Sequence, residues 1–319
     1  MHIIATFLIA VAILAGAHPA RAQSSAGPIR LLVGVTAGAS TDLVARLVAD
    51  KLQGLLGETV IVDNKPGAGQ RIAAAELKKS APDGRTIMLA GNAVFSILPH
   101  IYGDQLGYDP VKDFTPITRG VVFQVGFAAG PATKTMAEFL TWAKAQPGGI
   151  TFGSPGAGST SHFAGLMFAK AAKLTMTHAA YRGGAPALND LMGGHIALVT
   201  TAATDLPPLA KAGKLSIIAT AGPQRTPSTP DVPTLRELGF DIAFDSAFDF
   251  YGPAGVPKEM VQRLNGALVK ALAMPDVRAK VEEIGLQVGA GSPEELAAKQ
   301  AAEFAWWAAP VKESGFKGE

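Results

Sequence analysis

Residues 152–165, FGSPGAGSTSHFAG, have the types and spacing that could most readily do chemistry, because glycines alternate there with hydroxyl-bearing side chains. Such a loop could cradle a phosphate, present a serine nucleophile or bind another anion. Phosphate loops of the GxxxxGK[ST] type need a lysine after their second conserved glycine, and the stretch has none. The dinucleotide pattern GxGxxG fails as well, since Ser161 occupies the position of its last glycine.

Catalytic and metal chemistry have little support in the rest of the sequence. The GxSxG pattern of a serine hydrolase surrounds neither Ser154 nor Ser159. The 6 histidines form no HxxxH or HExxH pair, and the absence of cysteine excludes disulfides, thiolate metal sites and a cysteine nucleophile. We therefore expect no catalytic residue, no metal and no cofactor. An exported hydrolase that uses Ser159 or Ser154 is the enzymatic alternative.

Anion binding suits the loop better. It leads into a predicted helix that starts with Ser159 and Thr160, and unpaired N–H groups at a helix start, with hydroxyl donors, hold an anion without a charged side chain. Residues 36–41, TAGAST, have the same design. Two such starts facing each other across a cleft would bind a carboxylate through charge-assisted hydrogen bonds. The simpler interpretation of either loop alone is an ordinary N-cap, and we expect His162 to pack or cap.

Alternating strand and helix patterns place both loops after buried strands. Residues 29–35 are an apolar run interrupted only by Arg30, typical of a strand covered on both faces, and a helix with Ser40 or Thr41 as N-cap follows until Gly57. A strand, a helix and a strand come next, at residues 59–62, 70–79 and 86–90. This βαβαβ order predicts a parallel sheet with helices on both faces.

The pattern predicts two α/β domains with a ligand cleft between them. A second unit contains strand 150–153, the glycine-rich loop and helix 159–172. Residues 242–251 are extended and are expected to cross back, so that the C-terminal helices return to the first domain. The predicted division is a signal peptide at 1–22, a discontinuous first domain of 23–125 plus 246–319, and a second domain of 126–245.

The first 22 residues predict a secretory signal peptide. Residues 3–15 are almost wholly apolar, too few to span a bilayer of about 30 Å, and Ala20-Arg21-Ala22 gives a cleavage site after Ala22. No Lys or Arg precedes the apolar run, so a membrane anchor is the alternative. Cleavage leaves 27 basic residues (28 less Arg21) against 26 acidic ones, a net charge of +1. We expect a soluble periplasmic protein with no nucleic-acid partner.

A series of short motifs, in order along nearly the whole mature chain, resembles one known family. They are PIR (28–30), TDLVAR (41–46), DNKPGAG (63–69), APDG (81–84), YDPVKDF (108–114), GSTSH (158–162), YRGGAPAL (181–188), KAGKL (211–215), DVPT (231–234) and PAG (253–255). The chain thereby resembles the substrate-binding proteins of tripartite tricarboxylate transporters, the Bug family of extracytoplasmic solute receptors. The resemblance implies a two-lobed, type II-like periplasmic-binding-protein fold of two doubly wound α/β domains that closes on its ligand. It also implies small carboxylate ligands and delivery to a membrane permease of one large and one small subunit.

The resemblance further implies which residues bind the ligand. In the family, the loop after the first strand and a Gly-Ser-Ser/Thr loop hold a ligand carboxylate, partly through ordered water. By matching position these are Thr36, Ala37, Gly38, Ala39, Ser40 and Thr41, with Ser154, Gly158, Ser159 and Thr160. Arg182 either contacts the ligand or lies at the surface or between the lobes. Asn92 either reaches the cleft or is a turn residue.

Departures from the family pattern bear on specificity. The first loop lacks the usual proline-rich and glycine-rich sequence. Thr200-Thr201-Ala202 stands where Phe-Asp-Asn is common, which removes a carboxylate that could pair with a ligand amine and argues against amino acids. Ala247-Phe248-Asp249 stands where Trp-Phe-Gly is common. Burying an isolated carboxylate such as that of Asp249 costs free energy. Asp249 therefore meets a ligand donor or cation, pairs with a protein group such as Arg182, or faces solvent.

The sequence thus favours a periplasmic receptor, expected to be monomeric, that captures a dicarboxylate, a tricarboxylate or an aromatic acid. Affinity would come from preorganised donors and from closure that excludes water. A binding protein that serves a sensor kinase or another signalling partner is the alternative from a different class.

Overall fold

Two β-sheets organise residues 27–318, the part of the chain that the computed structural model describes. The strands are β1 Ile29–Val33, β2 Val60–Asn64, β3 Thr86–Gly91, β4 Phe114–Phe123, β5 Val125–Ala129, β6 Ile150–Ser154, β7 Met176–Ala180, β8 Leu198–Ala202, β9 Ser216–Thr220, β10 Ser246–Pro253 and β11 Gln287–Val288. The first sheet has the order β11-β4-β10-β3-β1-β2, and the second has the order β7-β6-β8-β5-β9. The predicted signal peptide lies outside the described residues.

Helices cover both sheets. They are α1 Ser40–Leu56, α2 Arg71–Lys79, α3 Ala93–Ser96, α4 Leu98–Tyr102, α5 Met136–Lys144, α6 Thr160–Ala172, α7 Gly184–Met192, α8 Pro207–Lys211, α9 Lys258–Ala273, α10 Pro275–Glu283 and α11 Pro293–Ser314. Each sheet with its helices is called a lobe below. Within residues 27–318, no helix is both long and apolar enough to cross a membrane.

Two short connections join the lobes. Gln124 separates β4 of the first sheet from β5 of the second, and Asp245 precedes β10, which returns to the first sheet. Strand β10 enters the first sheet from the other lobe, so it runs in the direction opposite to β3 and β4. It pairs antiparallel with both strands. The parallel pairing predicted for the first three strands is confirmed, since β1 runs parallel to both β2 and β3. The returning strand β10 makes the whole sheet mixed. The numerical limits of the two domains stay a prediction.

The C-terminal helices pack as the apolar pattern of α9 indicates. Leu264 and Leu268 of α9 lie in one buried cluster with Leu31 of β1 and Val44 of α1, which fixes α1 against the first sheet. Helix α11 continues towards the second lobe, where Trp307 packs in a smaller cluster with Phe163 of α6. The α11 helix thus contributes apolar contacts to both lobes.

Candidate functional site

The carboxyl ends of the parallel strands in both sheets face the connections between the lobes. In the first sheet, β1 runs parallel to β2 and β3, and Phe248 near the start of β10 pairs with Gly91 at the end of β3. In the second sheet, β6 runs parallel to β7 and β8, and Val125 at the start of β5 pairs with Ala202 at the end of β8. Loops that follow these strands therefore lie at the edges where the lobes meet.

Each sheet also reverses its strand order at this edge. The successive neighbours β2 and β3 lie on opposite sides of β1, and β7 and β8 lie on opposite sides of β6. Ligands of open α/β sheets bind outside the carboxyl ends of the strands at such switch points. Residues 36–41 follow β1 and residues 155–159 follow β6, so both predicted loops are positioned at a switch point.

The first loop is held in shape by Asp42. Its carboxylate is 1% exposed and accepts hydrogen bonds from the Gly38 N–H (2.8 Å), Arg46 Nε (2.9 Å) and Asn64 Nδ2 (2.9 Å). Burial alone would raise the pKa of Asp42, but the hydrogen bonds from Arg46, Gly38 and Asn64 lower it. Asp42 is therefore a stable anion that orients the loop.

The loop leaves backbone donors available. The N-cap of α1 is Ala39 and not Ser40 or Thr41, and no side chain caps it. Within the described chain, the N–H groups of Ser40 and Thr41 donate to no protein acceptor. Thr36, Ala37 and Gly38 are exposed.

The second loop is fixed by its own hydroxyl groups. Ser159 caps α6, since its Oγ accepts from the His162 N–H (3.1 Å) and donates to the Gly156 carbonyl (2.7 Å). Thr160 Oγ1 lies 2.6 Å from Ser246 Oγ at the start of β10. These side chains hold the backbone at the helix start and are already engaged with protein partners.

Ser154 is buried beside two stacked histidines, the buried His162 and the half-buried His178. Its Oγ lies 2.8 Å from His178 Nε2, and the rings of His178 and His162 stack with centroids 3.7 Å apart. His162 Nδ1 accepts the N–H of Gly158 at 3.2 Å. Burial, aided by the nearby His178, lowers the pKa of His162 to about 3, and burial lowers that of His178 to about 4. His162 packs inside the lobe, as expected.

The third predicted segment lies at the end of β8. Thr200 Oγ1 donates to the Ser161 carbonyl at 2.8 Å, which ties β8 to the first turn of α6. Thr201 Oγ1 donates to Asp205 Oδ2 at 3.0 Å, so a carboxylate does stand beside Thr201. The aspartate common in the family is absent from residues 200–202, but Asp205 brings another carboxylate to this region from the turn after β8. The expectation that amino acids are not ligands stays a prediction.

Asp249 forms a buried ion pair, but not with the partner named above. It is 1% exposed, and Arg119 donates to it through Nε (2.9 Å) and Nη2 (3.2 Å). Arg119 Nη2 also donates to Glu303 (2.6 Å), which in turn accepts from Asn92 Nδ2 (2.9 Å). Burial raises the pKa of Asp249 to about 6, against the opposing effect of Arg119. The suggested pairing with Arg182 is wrong, since Arg182 is exposed and Arg119 occupies that position.

Sequence reasoning missed four polar residues at this edge, Gln70, Arg119, Asp205 and Glu303. Arg119 follows an apolar strand residue, Ile117, by two positions, so the alternation of β4 could have marked it as inward-facing. Glu303 lies about 180 residues from Arg119, and no local pattern connects them. No sequence pattern marks Gln70, because its unusual backbone conformation is known only from the structure.

The described residues line two cavities. One of about 220 Å³ adjoins Gln124 and Gln224 beside the connections between the lobes. One of about 940 Å³ adjoins Trp142 and Ile196, near the start of β8 and so at the opposite edge of the second sheet. Neither is lined by the predicted ligand residues.

Comparisons with known proteins fit this arrangement. A family model described as "Tripartite tricarboxylate transporter family receptor" matches residues 44–316. The chain belongs to this receptor family. A "UPF0065 protein" of Cupriavidus necator is 37% identical to this receptor over an alignment of 315 residues that covers 95% of the chain and 93% of the relative. The recognition of a tripartite tricarboxylate transporter receptor of the Bug type is confirmed.

Solved structures of other receptors share the fold. The periplasmic binding protein BugD matches with a TM-score of 0.82 at 31% identity, over 92% of this receptor and 99% of BugD. A Rhodopseudomonas palustris protein with adipate matches with a TM-score of 0.84 at 29% identity, over 92% and 98% of the two chains. MatC of the same organism, with bound malate, matches with a TM-score of 0.80 at 27% identity, over 90% and 99%. The predicted two-lobed periplasmic-binding-protein fold is confirmed.

Proposed function

We propose that this receptor captures a small organic carboxylate between its lobes and delivers it to a tripartite tricarboxylate-type transporter. The candidate ligands are dicarboxylates, tricarboxylates and aromatic acids. The observation that carries the proposal is the pair of loops 36–41 and 155–159, each at a switch point and each opening a helix at the edge where the lobes meet. Helix starts of this kind favour an anion through their free N–H groups and their dipole.

The ligand class is supported by the relatives. Adipate and malate, the molecules named with two solved receptors of this family, are both dicarboxylates. Amino acids are a second candidate class, because Asp205 stands beside Thr201 and could accept an ammonium group. Either ligand would place one carboxylate against the two loops.

We propose further that the receptor catalyses no reaction. Ser154 is 0% exposed, so its hydroxyl cannot reach a substrate despite the contact with His178. Ser159 uses its hydroxyl as a helix cap. No group of three or more His, Asp or Glu side chains within residues 27–318 could hold a metal ion. A hydrolase that uses Ser159 would show turnover that Ser159→Ala abolishes, and we expect no such turnover in the wild type.

The proposed partner is a permease of one large and one small membrane subunit. The receptor would bind it as a monomer in the periplasm, after its signal peptide is cleaved behind Ala22. A signalling partner in place of the permease would use the same ligand site. Pull-down of the ligand-loaded receptor on membranes that carry the permease subunits distinguishes the two, since a sensor-only receptor would not bind them.

The ligand proposal is tested by thermal unfolding of residues 23–319 after unfolding and refolding to remove bound ligand. The panel contains dicarboxylates, tricarboxylates, aromatic acids, amino acids and cationic controls. A ligand at about 100 times its dissociation constant adds roughly 2.7 kcal/mol of stability, which is an easily measured shift. Stabilisation by carboxylates supports the proposal, and stabilisation by cationic controls alone would contradict it.

A further inference from the structure

Gln70 has an unusual backbone at the switch point of the first lobe. Residues 67–70 all have positive φ, and two of them, Ala68 (φ 46°) and Gln70 (φ 72°), are not glycine. This left-handed region disfavours residues with a Cβ. Non-glycine residues are held there only where the surrounding structure determines them, often at ligand sites.

The side chain of Gln70 lies across the carboxyl ends of β1 and β3. A Cβ added at Gly34, the residue after β1, would lie 2.5 Å from Gln70 Cβ, so the two residues are in direct contact. At the other end, Gln70 Oε1 accepts the N–H of Gly91, the last residue of β3, at 3.3 Å. The glutamine therefore spans the two strands between which the strand order reverses.

One end of this amide remains available. An N–H group can only donate, so the Gly91 contact assigns Oε1 to that bond and leaves Nε2 as the outer group. Within residues 27–318, Nε2 of Gln70 has no protein acceptor, and the residue is half-buried.

The same segment faces the second lobe. A Cβ added at Gly69 would lie 3.8 Å from Leu98 Cδ1, and one added at Gly158 would lie 2.9 Å from Leu98 Cδ2. A single leucine side chain thus lies between the segment that contains Gln70 and the glycine-rich loop of the other lobe. A ligand held by both loops would meet the amide of Gln70.

We infer that Gln70 is a specificity-determining residue whose Nε2 donates a hydrogen bond to a ligand carboxylate at the carboxyl ends of β1 and β3. The inference rests on the proposed function, since it needs a carboxylate ligand between the lobes. It explains why a residue with a Cβ occupies a backbone conformation that suits glycine.

The test compares three variants by titration calorimetry with the carboxylate that best stabilises the refolded wild type. Gln70→Gly relieves the backbone conformation and removes the amide, so we expect an unchanged or higher melting temperature and roughly tenfold weaker binding. Gln70→Glu places a like charge beside the ligand and should weaken binding further. Ala68→Gly is the matched control: it relieves the same kind of backbone conformation without an amide, and its affinity should stay within about twofold of wild type.

The outcomes separate this inference from the function on which it rests. If the wild type binds a carboxylate and Gln70→Gly binds it equally well, Gln70 is not a ligand donor. If Ala68→Gly weakens binding as much as Gln70→Gly, the effect comes from backbone freedom and the inference is also wrong. If the wild type binds no carboxylate of the panel, the proposed function itself fails, and the inference with it.

Discussion

Thr160 and Ser246 share a hydrogen bond of 2.6 Å between their hydroxyl oxygens, although Thr160 belongs to a helix of the second lobe and Ser246 to a strand of the first sheet. Thr160 opens α6 beside the second switch point, and Ser246 opens β10, the strand that returns to the first lobe. Both side chains are buried. The bond therefore fixes the second binding loop relative to the connection between the lobes.

Removing this bond should destabilise the receptor measurably. Thr160→Val keeps the shape of the side chain but leaves the Ser246 hydroxyl without its partner, so we expect a loss of about 1–3 kcal/mol in the free energy of unfolding. The measurement is urea denaturation. Ser246→Ala and the double variant complete a cycle, and strictly additive losses would show that the two hydroxyl groups do not interact.

The buried charge network should be far more sensitive than an exposed ion pair. Arg119→Met leaves the buried Asp249 and the half-buried Glu303 without their common donor, for which we expect a loss of about 3–5 kcal/mol. The matched control is Arg225→Met. The side chains of Arg225 and Glu237 are 42% and 47% exposed, and their pair should contribute less than about 1 kcal/mol. Equal losses in the two variants, measured by denaturation, would contradict the structural role of Arg119.

Acid should destabilise the receptor through its histidine pair. In the folded chain the pKa of His162 is about 3, whereas an unfolded histidine titrates near 6.5. Below about pH 6.5 the unfolded chain therefore binds the additional proton, and stability falls as pH falls towards the folded pKa, by about 1.4 kcal/mol per pH unit for one such group.

The variant His162→Gln isolates this contribution. Its side-chain oxygen can still accept the N–H of Gly158, but it does not titrate. Denaturation curves between pH 6.5 and 4 should show a shallower loss of stability than in wild type. An identical slope in the two proteins would mean that His162 is not the titrating group.

Stability and binding should change in opposite directions at the start of α1. Ala39 caps this helix without a side-chain hydrogen bond, so Ala39→Ser should add about 1 kcal/mol of stability. The new hydroxyl would accept from the N–H of Thr41, one of the two donors left available for the ligand, or from the neighbouring N–H of Asp42. Affinity should therefore fall while the melting temperature rises, and a rise in both quantities would argue against ligand binding by this loop.

Local features of the fold were predictable, and long-range partners were not. The end of α1 at Gly57 follows from a glycine in the left-handed region (φ 68°), and the two strand–loop–helix units follow from apolar periodicity. The sequence could not show that the N-cap of α1 is Ala39 and not Ser40, because the capping position depends on backbone angles as well as on residue type. Arg119 and Asp249 lie 130 residues apart and meet only because β10 crosses back between β3 and β4. The sequence predicts the candidate site as two loops, and the structure places both loops at switch points of the sheets. The bonding of their side chains required the structure.

The most direct measurement is calorimetric titration of one carboxylate ligand onto variants that each place an acid on one loop. Ala39→Asp alters the loop of the first lobe, and Ala157→Asp alters the exposed tip of the glycine-rich loop. Ala132→Asp, at the opposite edge of the second lobe, is the control. If both loops hold one carboxylate, each loop variant should bind at least tenfold more weakly, with the control within about twofold of wild type. Unchanged affinity in either loop variant would contradict a site shared by the two lobes.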